Sequence, residues 1–117
     1  MATVEEDTSE RLRGLSGSAR RLLDYAVVLE GSARYAVLRH TARLTEADMI
    51  EDLREVVEAG FLSAIPGHSN SYDFVDEDVR ALVLADVGDA RLPKLRARAL
   101  SARRRVEGVT YGKRPNR

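Results

Sequence analysis

The feature that most constrains this chain is a capped amphipathic segment that ends at a glycine and leads directly into a short strand. Thr45 is a residue type that caps helices, and Asp48 stands three positions later, as in a capping box. Apolar residues then repeat at helical spacing, namely Met49, Leu53, Val56 and Val57. Gly60 follows as a left-handed terminator. The pattern predicts a helix over residues 46–59 with one buried face.

Two short strand patterns follow that helix and enclose a turn-rich loop. Residues 61–65 form a short strand that Pro66 closes, which suits the edge of a sheet. Residues 67–71 are small and polar, and residues 72–75 alternate as a return strand does. This stretch therefore predicts a β-hairpin.

Helical patterns recur on both sides of this unit. Two helices are predicted before it. The first begins near Ser16 or Ser18, either of which can cap it, and Gly31 ends it; the second covers residues 32–42. Residues 76–88 predict a helix after the hairpin, and a last helix begins within residues 89–93, with an apolar face beneath a basic coat. The order HHH-EE-HH is that of a winged helix, mainly α with a small β-hairpin.

Length and composition indicate one domain with one modest core. Residues 1–14 predict a flexible leader or linker, residues 15–107 the winged-helix domain with its C-terminal helix, and residues 108–117 a basic tail. The absence of cysteine excludes disulfides, thiolate metal sites and a cysteine nucleophile. No apolar stretch is long enough to span a bilayer or form a signal peptide, so we expect a cytoplasmic protein without membrane contact.

Charge is segregated along the chain. Residues 46–90 carry two bases and twelve acids, whereas residues 91–117 carry ten bases and one acid. Six of the acids fall in the helix predicted over 46–59, where a DNA-reading protein of this shape has its recognition residues, and they repel phosphate. That helix presents either a solvated face or a docking surface for a basic protein. In the docking interpretation, the residues that contact the partner are Glu51, Asp52, Glu55 and Glu58.

The basic last helix has three interpretations: a solvated helix, an electrostatic contact with an acidic protein, or a contact with nucleic acid. The candidate phosphate contacts are Arg91, Lys94, Arg98, Arg103, Arg104 and Arg105. Their spread around the helix argues against a single face that reads one groove. The loop over residues 67–71 adds no full positive charge.

No catalytic, cofactor or metal site is predicted, and we expect a protein that is not an enzyme. His40 and His68 belong to no ligand or triad spacing and are interpreted as ordinary surface residues. The chain contains no glycine-rich phosphate loop. Asp76 and Asp78 match no calcium-loop spacing and suit the start of a helix instead. No small-molecule substrate is evident.

Three motifs suggest a family. Residues 15–23 match an L-S-x-x-A-R-x-L-L opening, residues 53–62 a leucine-to-G-F-L passage, and residues 72–83 a Y-x-F-x-H-x-x-V-R-x-x-V passage in which Asp76 replaces the histidine. In these motifs the chain resembles the winged-helix segment that follows the ATPase core in signal-transduction (STAND-type) ATPases, as in large LuxR-type transcription regulators. The resemblance covers about three quarters of the chain, from Leu15 to about Leu100.

The resemblance implies a regulatory role. In that family the winged helix packs on the ATPase core and couples nucleotide state to assembly. Its histidine approaches the nucleotide phosphate, and the carboxylate of Asp76 here argues against such sensing. Arg80 matches the family arginine, which implies a structural role or a contact with a neighbouring domain.

We therefore expect a non-catalytic interaction module associated with transcriptional regulation, which docks on a protein partner or an adjoining ATPase domain. The alternative is a DNA-binding regulator that contacts phosphates through its basic C-terminal helix and tail.

Overall fold

A computed structural model of the chain describes residues 4–29, 33–68 and 70–111, with side chains described for residues 7–29, 33–68 and 70–107. These residues form a mainly helical fold with a small antiparallel sheet of three strands, which confirms the prediction of a mainly α chain with a small β element. The elements are α1 (Val4–Arg13), α2 (Gly17–Val28), β1 (Ala33–Arg34), α3 (Tyr35–Ala42), α4 (Glu46–Glu58), β2 (Leu62–Ala64), β3 (Ser71–Phe74), α5 (Glu77–Val87) and α6 (Leu92–Tyr111). None of the helices in these ranges is both long and apolar enough to cross a membrane.

Helix α2 is the centre of the fold, because α3, α4, α5 and α6 all pack on it. Leu22 and Leu23 are fully buried, so this helix has apolar contacts on a broad face. Its first turn is closed by Ser16, whose hydroxyl accepts a hydrogen bond from the Ala19 amide. Thr45 closes the first turn of α4 in the same way, as its spacing predicted.

Helix α1 lies where we expected a flexible leader. Most of its residues are charged, yet Leu12 and Thr8 are buried. The Arg11 guanidinium donates a hydrogen bond to the carbonyl of Ala59 at 2.8 Å and lies over the Phe61 ring. Leu12, Thr8 and the long cationic side chain of Arg11 thus join α1 to the fold, and so few buried residues leave no apolar stripe in the sequence.

Strand β3 is the middle strand of the sheet and is antiparallel to both neighbours. Leu62 pairs with Phe74 in the predicted hairpin, and Ala33 pairs with Tyr72 on the other edge. The sequence predicts a single helix over residues 32–42, but the chain is extended through β1 and α3 begins after it. A strand of two residues is too short to show an alternating pattern in the sequence, so β1 can be recognised only from its pairing with β3.

Helices α5 and α6 complete the core. The Asp76 carboxylate accepts a hydrogen bond from the Val79 amide at 2.8 Å and so caps α5. Helix α6 packs on α3 and α2 through an apolar face formed by Leu95, Ala99 and Ala102. Its backbone continues to Tyr111, into the stretch predicted as a basic tail (108–117), and the rest of that stretch lies outside the described residues.

Candidate functional site

The solvent-facing side of α4 combines apolar and acidic residues. We call it the α4 outer face, formed by the exposed residues Ala47, Ile50, Glu51, Arg54, Val57 and Glu58. Ile50 is 47% exposed and Val57 is 39% exposed, and their spacing of seven places them on one side of the helix. Glu51 and Glu58 lie together on the other side of this face, and the exposed Arg54 falls between them and the apolar pair.

The four acidic residues predicted for docking divide into two groups. Glu51 and Glu58 are exposed on the α4 outer face, whereas Asp52 is only 7% exposed. Asp52 accepts a hydrogen bond from the Ser18 hydroxyl at 3.0 Å. Asp52 therefore joins α4 to α2 and is not presented to a partner.

Glu55 likewise points to the first turn of α2. Its carboxylate accepts hydrogen bonds from the Ser16 amide at 2.7 Å and from the Ser16 hydroxyl at 2.9 Å. A carboxylate at the start of a helix is stabilised by the unpaired amides and by the helix dipole. Glu55 therefore stabilises the fold. A count of charges along the sequence cannot distinguish it from the exposed acids beside it.

Arg80, assigned by the family resemblance, lies on α5. Its guanidinium donates to the carbonyl of Val27 at 3.2 Å, near the end of α2, and lies 3.7 Å from the Glu77 carboxylate. These contacts attach α5 to α2. They give Arg80 a structural role in the fold.

Helices α3 and α6 enclose a groove of about 730 Å³, which we call the α3–α6 groove. Four arginines line it, Arg39 and Arg43 from the end of α3 and Arg98 and Arg105 from α6, with His40 beside them. The remaining lining includes Tyr35, Leu44 and Val106. Every ionisable group among the described lining residues other than Tyr35 is a base, so the groove attracts anions.

The end of α3 brings three of these bases to the groove. Arg39 and His40 stand in its last turn, where positive charge suits the helix dipole. Arg43 ends the helix in the left-handed conformation, with φ 57° and ψ 45°. For a residue with a Cβ this conformation costs about 1 kcal/mol.

Helix α6 supplies the opposite wall. Arg98 and Arg105 are seven positions apart and so lie on one side of the helix. The Arg98 guanidinium donates to the Tyr25 hydroxyl at 3.2 Å and lies 5.9 Å from the centre of its ring. In the part of the chain that the structure describes, no carboxylate forms an ion pair with Arg39, Arg43 or Arg105.

The predicted phosphate contacts in and just before α6 therefore differ in their surroundings. Arg98 and Arg105 line the groove, while Lys94, Arg103 and Arg104 lie outside its lining. Arg91 is occupied: it donates to a carboxylate oxygen of Asp24 at 2.9 Å.

Asp24 is 3% exposed, and burial raises the pKa of its carboxyl, although the hydrogen bond from Arg91 partly opposes that effect. Its second oxygen has no hydrogen-bond partner among the described atoms, and neither does Nε of Arg20 on the preceding turn. The Arg20 guanidinium pairs with Asp86 on α5. These charges bind α2 to both ends of the α5–α6 connection.

The bases of α3 were absent from our sequence-based candidates. Residues 1–45 carry seven bases and six acids, so their charge looked balanced. A signal was present nevertheless, because residues 33–45 include Arg34, Arg39, His40 and Arg43 and no acid. Only the packing of α3 on α6 makes that local excess part of one site.

Within the described side chains, no three His, Asp or Glu residues converge in a way that could hold a metal ion. Comparisons with known proteins give no match to a family model, a curated protein or a solved structure. The resemblance to STAND-type ATPases therefore rests on the sequence motifs.

Proposed function

We propose that this chain is a non-catalytic winged-helix module, associated with transcriptional regulation, that docks on a protein partner or an adjoining ATPase domain. The order α2, β1, α3, α4, β2, β3 and the strand order β1-β3-β2 support the winged-helix assignment. In that arrangement α4 takes the place of the helix that reads DNA in other members of the class. Its acidic surface disfavours that use.

The observation that carries the proposal is the pair of large apolar side chains on the α4 outer face. Ile50 and Val57 are exposed on one side of this face, and Glu51 and Glu58 are exposed on the other. Large exposed apolar side chains with charged residues beside them are a feature of protein interaction sites. The partner surface that fits them has an apolar centre and basic residues around it.

The docking surface does not include Asp52 and Glu55, because both accept hydrogen bonds from the start of α2. We therefore assign docking to Ile50 and Val57, with Glu51 and Glu58 steering the encounter. Rim charges change association rates and their salt dependence, whereas central apolar side chains determine how long a complex lasts.

The test compares the wild type with the double variant Ile50→Ser/Val57→Ser in capture experiments on extracts of the source cells. The control is Leu100→Ser, which removes a side chain of similar exposure (45%) on α6. A specific partner should be retained by the control and lost by the double variant. Direct binding to that purified partner should then weaken at least tenfold, with unchanged thermal unfolding of the module. Equal capture by all three proteins would reject the proposal.

A further inference from the structure

The α3–α6 groove holds more positive charge than the fold uses. Arg98 is engaged by Tyr25, but Arg39, Arg43 and Arg105 form no ion pair with any carboxylate in the ranges that the structure describes. Like charges gathered in one groove repel one another, so they do not stabilise the packing of α3 on α6. Their placement is favourable when an anion occupies the groove.

The conformation of Arg43 adds an independent observation. It ends α3 with a positive φ, where glycine would end the helix with less strain. Strained backbone of this kind clusters at functional sites, where the surrounding structure holds it in place. The residue in that conformation here is a cation that lines the groove.

We propose that the α3–α6 groove binds the phosphodiester backbone of nucleic acid. All four full charges in the groove are arginines, whose planar guanidinium forms paired hydrogen bonds with phosphate oxygens. The volume of about 730 Å³ exceeds what one phosphate fills, and Tyr35, Leu44 and Val106 provide apolar contacts beside the charges. A phosphodiester backbone supplies one negative charge per nucleotide, so several guanidinium groups can each meet a phosphate. The site is separate from the α4 outer face and does not depend on it.

The first experiment measures binding of a short generic DNA duplex by fluorescence anisotropy as the salt concentration is varied. Four phosphates neutralised by the groove predict a log–log salt slope of about −3.6, since each contributes about −0.9. Affinity should therefore fall about a hundredfold between about 50 mM and about 200 mM salt. Failure to bind at the lower salt concentration would overturn the proposal.

Matched charge variants then locate the site. Arg39→Gln/Arg105→Gln should reduce the slope by about 2 and weaken binding at least tenfold at low salt. The control Arg13→Gln/Arg21→Gln removes the same charge from two exposed arginines on α1 and α2 and should leave both values nearly unchanged. Equal effects of the two double variants would show attraction by net charge alone and would overturn the groove assignment.

Two further measurements exclude a structural explanation and a different ligand. Arg43→Gly should keep or raise the unfolding temperature, because glycine suits the left-handed end of α3, yet it should weaken DNA binding. Loss of binding only together with loss of folding would contradict the proposal. Polyglutamate of equal charge should compete much more weakly than DNA. Equal competition would mean that the groove takes acidic peptides instead of nucleic acid.

Discussion

Ser16 and Glu55 connect α2 to α4 through one carboxylate. The Ser16 amide donates to one oxygen of Glu55 at 2.7 Å, and its hydroxyl donates to the other at 2.9 Å. The same hydroxyl accepts a hydrogen bond from the Ala19 amide, so Glu55 orients the residue that caps α2. An acid in the middle of the most acidic helix is therefore part of the framework.

Replacing Glu55 should destabilise the fold. Glu55→Ala removes two hydrogen bonds from a capped helix start, and we expect a loss of about 1 kcal/mol in the free energy of unfolding. The control Glu51→Ala removes an exposed acid from the same helix and should change stability by less than about 0.5 kcal/mol. Urea denaturation at neutral pH measures both. Equal effects of the two substitutions would contradict the capping role of Glu55.

Helix α1 should contribute measurably to stability. Leu12 is 4% exposed, so Leu12→Ala removes buried apolar volume and should cost about 2–3 kcal/mol. Arg13→Ala, an exposed neighbour on α1, should cost less than about 0.5 kcal/mol. Chemical denaturation distinguishes the two variants. Were α1 detached from the core, the leucine substitution would be as mild as the arginine substitution.

Two glycines should respond in opposite ways to alanine. Gly60 has φ 86°, and an added Cβ would lie 2.8 Å from Nη1 of Arg11, so Gly60→Ala should cost more than about 1 kcal/mol. Gly17 opens α2 with nothing within 4 Å of the added atom. Gly17→Ala should leave stability unchanged or raise it by about 0.5 kcal/mol. Thermal unfolding of both variants tests the contrast, and a destabilised Gly17→Ala protein would be inconsistent with it.

Asp24 should make stability depend on pH. Its pKa is raised by burial above the ordinary value of 3.8, so the fold favours the protonated carboxyl. Stability that this group provides below pH 3.8 is then lost as the pH rises through the folded-state pKa. Asp24→Asn resembles the protonated form at every pH. At neutral pH it should equal or exceed the wild type in stability, and the difference should shrink on acidification.

The partner of Asp24 provides a check on this prediction. Arg91→Gln leaves a buried carboxylate without its hydrogen bond and should destabilise the protein at neutral pH by about 1 kcal/mol. The double variant Asp24→Asn/Arg91→Gln should recover most of that loss. The free energy of unfolding of the two single variants and the double variant is measured at several pH values. If Asp24→Asn were less stable than the wild type at neutral pH but not in acid, the pKa of Asp24 would be lowered in the folded protein, which would contradict the prediction.

Helix starts and the hairpin were predictable because their causes are local. Thr45 and Asp76 accept hydrogen bonds from amides three residues ahead, so a few letters of sequence contain both donor and acceptor. The hairpin has its turn residues and its two strand patterns within one short stretch. By contrast, β1 and α1 depend on partners far along the chain, β3 for one and the end of α4 for the other.

The sequence by itself determined a mainly helical chain with a small antiparallel element and an acidic α4, since periodicity, caps and charge counts are properties of neighbouring residues. Tertiary structure decided which charges act together. Packing turned Asp52 and Glu55 inward to α2 and left Glu51 and Glu58 outside. It also placed the bases of α3 opposite those of α6, because electrostatic fields add by distance in space and not by position along the chain.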